Sequence, residues 1–290
     1  MAQRLFNLAE WWHLLSLDAP TVAAVWSWFF ARAMHLHLPL MQALLLGLGT
    51  WLLYVADRIL DGLRQRQGEL LRERHHFHAR HRTAFLWTAS LLIMLFAWAV
   101  LTRMRPEALR DDSWIGVFAL LYLVAVHRRT NALPAAAPRL PKELAVAILF
   151  AAATAVPAWS RLGGGTGIGL RKEQLAPAVI FFAVLCWINC VGIEKWEADG
   201  PTLARGRTHV TTLWASLHLR SIVTMIALLL IAAALRAPSR GLMAVYLAAL
   251  FSSGLLFALD ARRAHLSPLH LRIAADAALL TPLAFFPFAR

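Results

Sequence analysis

Two short runs of carboxylates carry the chemistry that this chain could perform. The first is Tyr54-Val55-Ala56-Asp57-Arg58-Ile59-Leu60-Asp61, and the second is Gly192-Ile193-Glu194-Lys195-Trp196-Glu197-Ala198-Asp199. Each follows an apolar stretch long enough to cross a bilayer. Ionisable groups at the edge of hydrocarbon are costly, and they commonly persist because they have work to do. Clustered carboxylates present hard oxygen ligands for a divalent cation such as Mg²⁺, and through it for a phosphorylated substrate. The reading that follows is chemistry on a lipid diphosphate at a membrane.

The elements that must position these residues are helices. On a helix, Gly47, Thr50, Tyr54, Asp57 and Asp61 share one stripe, so a phenol and two carboxylates one turn apart face the same way. Acids at a helix C-terminus oppose the macrodipole, so simple solvation explains them poorly. In the second run Glu194 and Glu197 share a face, and Gly200-Pro201 breaks the helix just after Asp199.

Composition agrees with a membrane setting. The 290 residues are 59% hydrophobic and 16% charged, with mean hydropathy +0.58; soluble domains carry roughly 25% charged residues. A ruler of about 20 apolar residues per crossing gives about nine spans. They fall at 19–36, 39–60, 83–102, 113–128, 143–160, 175–193, 217–235, 240–258 and 270–288, the last interrupted by Pro282 and Pro287. The expected fold class is an all-α polytopic bundle forming a single integral-membrane domain over 1–290. The loops 61–82 and 194–216 cap the site, and a short amphipathic surface helix is expected within 61–82.

The net charge of +13 excludes little by itself. The cations lie in short loops between apolar runs, which suits membrane lipids and topology and speaks against nucleic acid. With the N-terminus inside, roughly two thirds of the Lys and Arg fall on the inner side. That predicts a multi-pass protein of the inner (cytoplasmic) membrane, N-terminus cytoplasmic and C-terminus outside. The opening residues, with Trp11 and Trp12, read as an interfacial lead-in and not as a removed signal. Cys186 and Cys190, the only two cysteines, read as buried thiols within one apolar segment.

Other residues invite explanation. His75, His76, His78 and His81 lie within seven positions; a metal site is conceivable, but a basic headgroup-facing surface with Arg72 and Arg74 is the favoured reading. Asp18 and Asp276 lie near or within spans. Asp276, as an isolated intramembrane acid, needs a partner that the sequence does not identify.

In topology the chain resembles the UbiA superfamily of intramembrane prenyltransferases, which has nine helices and acidic motifs after the second and sixth. The motif match is partial. Of N-D-x-x-D-x-x-x-D the chain keeps Asp57 and Asp61 but has Leu53 and Tyr54 in place of the leading pair. Of G-I-E-D-x-E-G-D it keeps Gly192, Ile193, Glu194, Glu197 and Asp199, with Lys195 replacing an Asp. The stretch Pro138 to Glu143, with Lys142, is similar to the Lys-bearing segment before the family's fifth helix. The resemblance implies that Asp57, Asp61, Glu197 and Asp199 hold Mg²⁺. Glu194 is a weaker candidate for the ion, and the substrate implied is a polyprenyl diphosphate whose isoprenoid group passes to an aromatic or lipid acceptor. The family's Arg-Pro loop after the first motif is not matched, Arg72 and Arg74 standing there instead, and Tyr54, Arg58, Arg72, Arg74, Lys142, Lys195 and Glu194 are read as the residues that contact the diphosphate. The motif losses weaken the metal site. They leave two alternatives on the same scaffold: a non-catalytic isoprenoid- or lipid-binding or transport protein, and an intramembrane terpene cyclase.

Overall fold

The computed structural model describes residues 7–63, 73–104, 106–128, 141–163, 168–198 and 209–289. Within them the regular structure is helical throughout. The order is α1 (Leu8–Leu14), α2 (Asp18–Ala33), α3 (Leu40–Leu63), α4 (Glu73–Arg80), α5 (Arg82–Arg103), α6 (Pro106–Arg128) and α7 (Lys142–Trp159). It continues with α8 (Ile168–Ala198), α9 (Val210–Leu217), α10 (Leu219–Leu235), α11 (Arg240–Arg262), α12 (Pro268–Ala277) and α13 (Pro282–Phe285). A short helix does form within 61–82, and it is α4.

Six helical stretches among the described residues are long and apolar enough to cross a membrane: 40–60, 82–103, 142–162, 171–197, 240–265 and 268–288. Two bent pairs, α1 with α2 and α9 with α10, raise the number to eight if each is one crossing. The ninth expected span falls on α6, whose apolar stretch Ser113–Val124 is short for a bilayer. The outside of the bundle is apolar. Trp87, Leu101, Leu217, Leu228 and Leu235 are all strongly exposed, a surface that suits lipid and not water.

The bends have local causes. Between α1 and α2 the chain turns by 91°. Ser16 occupies the left-handed region with φ 60°, an uncommon setting for a residue with a Cβ. It persists because the side chain and backbone around it are tied into the core. At the other break, α9 ends on His218, whose ring stacks on Trp214, and α10 departs at 78°. In the last segment Pro282 and Pro287 divide the helix with short 3₁₀ turns, and the segment still lies along the bundle.

The core centres on α2, which packs against α3 and α7 and carries Trp26, Phe29 and Phe30, all fully buried. Trp26 stacks on Phe182 of α8 with ring centroids 4.3 Å apart, and its indole N–H donates to the Leu279 carbonyl at 2.7 Å. One end of the bundle is closed by backbone contacts. Arg171 donates to the Met34 carbonyl, Arg32 donates to the Phe286 carbonyl, and Gly241 approaches Ala33 closely. A Cβ on Gly241 would collide with the Ala33 backbone, so only glycine fits there. The opposite end holds almost every ion pair described below, including those of both acidic motifs.

Candidate functional site

At the polar end, the turn after α1 and the first residue of α2 form a buried knot. Asn7 caps α1 reciprocally with Glu10, its side chain accepting from the Glu10 N–H and its own N–H donating to the Glu10 carboxylate. His13, in the last turn of α1, and Asp18, at the N-terminus of α2, are both fully buried. The 91° turn brings them together, so that His13 Nδ1 meets Asp18 Oδ2 at 2.7 Å. Asp18 Oδ1 accepts from the Ala19 N–H, and the helix N-terminus favours the negative charge.

Arg58, near the end of α3, inserts its guanidinium into this knot and is buried. It donates to the Ser16 hydroxyl, lies 3.5 Å from the His13 carbonyl oxygen and sits 3.9 Å from Asp18 Oδ2. Its guanidinium carbon is 5.7 Å from the Tyr54 ring centroid, within cation–π range. The Ser16 hydroxyl also meets His78 Nε2 at 3.1 Å. Arg58, which the family resemblance assigns to substrate, is thus engaged by the protein itself. The histidine run divides: His78 is buried and stacked on Phe85 at 4.1 Å, whereas His81 is exposed. The expected headgroup-facing surface therefore fits His81 and not His78. The side chains of His75, His76 and Arg74, and the whole of Arg72, lie outside the described residues.

The other wall of the site comes from α8 and α12. Asn189 Nδ2 donates to Asp276 Oδ1 at 3.0 Å, which supplies the partner that the isolated intramembrane acid required. Asn189 Oδ1 is buried without a hydrogen-bond partner. A cavity of about 40 Å³ lies here, lined by Tyr54, Asn189, Cys190 and Asp276 among mostly apolar neighbours. That is room for at least one water or ion, since a water needs roughly 10–15 Å³. His13, Asp18 and Asp276 each offer a ligand atom, and these atoms lie within 4.8 Å of one another. It is the group of metal-ligating side chains that the described residues bring together, and it includes no member of either acidic motif.

The motif residues are placed as follows. Tyr54 lines the cavity, and Asp57 is partly buried one turn beyond it on α3. The Asp61 side chain and all of Asp199 lie outside the described residues. Glu197 is buried at the end of α8 and its Oε1 accepts from Arg272 of α12. Glu194 is partly buried on the same helix. Lys195 donates to Asp260 Oδ1 at 3.0 Å. Lys142 is exposed at the start of α7, and its neighbour Glu143 accepts from Thr212 of α9.

Asp260, in the last turn of α11, was not anticipated. It is almost fully buried and accepts from Lys195, from the Trp196 indole at 3.0 Å and from Arg220 at 2.9 Å, with Arg263 at 3.7 Å. The signal that could have found it, and equally Glu10 and His13, is the one that marked Asp18: an ionisable residue interrupting an apolar segment.

The arrangement can hold charge within a largely apolar interior, accept hydrogen bonds at Asn189 Oδ1, and admit a small ligand or ion to the cavity. Comparison with family models, with curated proteins and with solved structures finds no match.

Proposed function

We propose that this chain is an intramembrane enzyme resembling the UbiA prenyltransferases, with nine crossings, counting α6 and both bent pairs. It would bind a polyprenyl diphosphate at the polar end of the bundle and transfer the isoprenoid group to an aromatic or lipid acceptor. One observation carries this reading. The two helices that bear the acidic motifs, α3 and α8, line a single cavity, through Tyr54 on one and Asn189 and Cys190 on the other. The acids follow within two or three turns of these residues, toward the same end. The cation distribution supports an orientation with that end, and the N-terminus, at the cytoplasmic face of the inner membrane.

Mg²⁺ suits the donor set of the motifs, which is all oxygen. Asp57, Asp61 and Asp199 would hold it, with Glu197 contributing only by exchanging its contact with Arg272. When bound, the ion would neutralise the departing diphosphate. The chain's own residues do the rest. Arg58 fixes the end of α3 against the N-terminal turn, so that Asp57 and Tyr54 keep their orientation. Tyr54 offers an aromatic face and a hydroxyl at the cavity, and Lys195 could pass from Asp260 to phosphate at the membrane edge. The apolar bundle excludes water from a reactive allylic group.

A second reading, an isoprenoid- or lipid-binding protein on the same scaffold, is favoured by the second motif. There Glu197 and Lys195 are already neutralised within the protein by Arg272 and Asp260. Incubating the purified protein with Mg²⁺ and a panel of prenyl diphosphates separates the two. The enzyme reading expects pyrophosphate release that falls at least about a hundredfold, roughly 2.7 kcal/mol of barrier, in Asp57→Asn and in Asp199→Asn. Unchanged turnover in both variants removes it. Co-purified isoprenoid lipid without release selects the binding protein.

A further inference from the structure

We propose that His13, Asp18, Asp276 and Asn189 form a binding site for one divalent transition-metal ion, distinct from the acidic motifs at the ends of α3 and α8.

The ligand atoms come from three helices that meet at the bundle's polar end. His13 Nδ1 and Asp18 Oδ2 are 2.7 Å apart. Neighbouring ligands around one small ion lie about 3 Å apart, given bonds of about 2.0–2.2 Å. Asp276 places a carboxylate oxygen within 4.8 Å of both. A fourth donor is independent of this group. Asn189 is 5% exposed, its Nδ2 is held by Asp276 Oδ1, and its Oδ1 is buried without a partner. The amide must point this way, because a carboxylate accepts and the NH₂ donates. If Asn189 served only to restrain Asp276, its carbonyl would be left unsatisfied at a cost of about 1–3 kcal/mol. An ion in the adjoining cavity gives that oxygen a ligand role.

Charge points the same way. Ionised together, buried Asp18 and half-buried Asp276 would carry two negative charges against the single positive charge of Arg58. Net charge in an apolar interior is costly unless something compensates it. Arg58 lies on the Asp18 side, 3.9 Å from its Oδ2, and Asp276 has no cation at ion-pair distance among the described residues. One imidazole with carboxylate and amide oxygens suits Zn²⁺, Mn²⁺ or Fe²⁺ better than Mg²⁺, which favours all-oxygen surroundings and retained waters. The cavity, about 40 Å³, leaves space beside such an ion for a water or a small ligand.

The test uses the full chain, purified in detergent, stripped with a chelator and titrated with Co²⁺ as a spectroscopic probe. The expected result is one Co²⁺ per chain with visible ligand-field bands, displaced by Zn²⁺ and not by excess Mg²⁺, and unchanged in Asp57→Asn. His13→Gln and Asp276→Asn, both nearly isosteric, should each weaken binding at least about tenfold, with thermal unfolding of the metal-free proteins showing that they remain folded. The wild-type titration decides even if a variant misfolds. Failure of the wild type to retain Co²⁺ or Zn²⁺ overturns the proposal, as would a balance of charge by protons alone. Binding that persists undiminished in folded His13→Gln and Asp276→Asn places the ion elsewhere and also overturns it.

Discussion

Two acids at the same end of the bundle, Asp260 buried and Asp276 half-buried, are treated in opposite ways. Asp260 is saturated: Lys195, Trp196 and Arg220 donate to its carboxylate, and Arg263 stands close by. Those donors come from α8 and α10 and the carboxylate from α11, so one side chain clamps three helices. The cations reach outward, with the Arg220 side chain 54% exposed and that of Arg263 37% exposed. Asp276 accepts from Asn189 and also meets the Asp18 carboxyl group, and with Asn189, whose carbonyl is unmet, it lines a cavity. A carboxylate surrounded by donors is a joint. A carboxylate grouped with a second acid, an imidazole and an open acceptor is a place for something to bind. The difference separates structure from function more clearly than the acidic motifs do, since members of the second motif take part in joints.

The comparison breaks most readily at Arg58, which stands between the two kinds of site. It is the buried cation nearest Asp18, and it also fixes Ser16 in its left-handed conformation. Arg58→Ala leaves Asp18 without that cation and the turn without its anchor. Removing one partner of a buried pair costs about 3–5 kcal/mol. Thermal unfolding in detergent should show the largest loss of any single substitution at this end. A small change would mean that His13 alone can hold Asp18, and that Arg58 is free to serve a ligand.

A milder effect is expected at the saturated acid. Asp260→Asn removes the shared charge, but Arg220 and Arg263 can turn toward solvent or headgroups. The loss should be about 1–2 kcal/mol, discounted for that exposure, and smaller at high salt. If Lys195 is needed for phosphate, freeing it should not reduce prenyl diphosphate binding, which filter retention would measure. A loss of binding as large as the loss of stability would show that Asp260 positions Lys195 for the substrate.

The helices were legible because their signal is local. Expected spans at 39–60, 83–102 and 143–160 correspond to α3 at Leu40–Leu63, α5 at Arg82–Arg103 and α7 at Lys142–Trp159. Apolar length defines such segments without reference to the rest of the chain. The bend before α2 was not legible, because it depends on Ser16 being held by Arg58, 42 positions away. The same turn hid the site. His13 and Asp18 look like interruptions of an interfacial lead-in until the chain folds back and Asp276 arrives from the last segment. Tyr54 was placed on an inward stripe and does line the cavity. Asp276 was marked by its isolation, but nothing local to either residue pairs it with Asn189, 87 positions earlier.

Cys190 offers the smallest and most discriminating change. It lines the same cavity as Asp276 but stands apart from the three-ligand group. Cys190→Ala removes one sulfur beside space that is already open, so stability should fall by no more than about 1 kcal/mol. The titration with Co²⁺ then gives the substitution its value. Thiolates are soft ligands that bind transition metals strongly, and cobalt–thiolate bonds absorb intensely in the near ultraviolet. With nitrogen and oxygen ligands alone, the wild type should lack those bands and Cys190→Ala should give the same visible spectrum. Near-ultraviolet bands that vanish in the variant would instead make the thiol a ligand. The open acid would then belong to a mixed sulfur, nitrogen and oxygen site, which shifts the preferred ion toward Zn²⁺ and away from Mn²⁺.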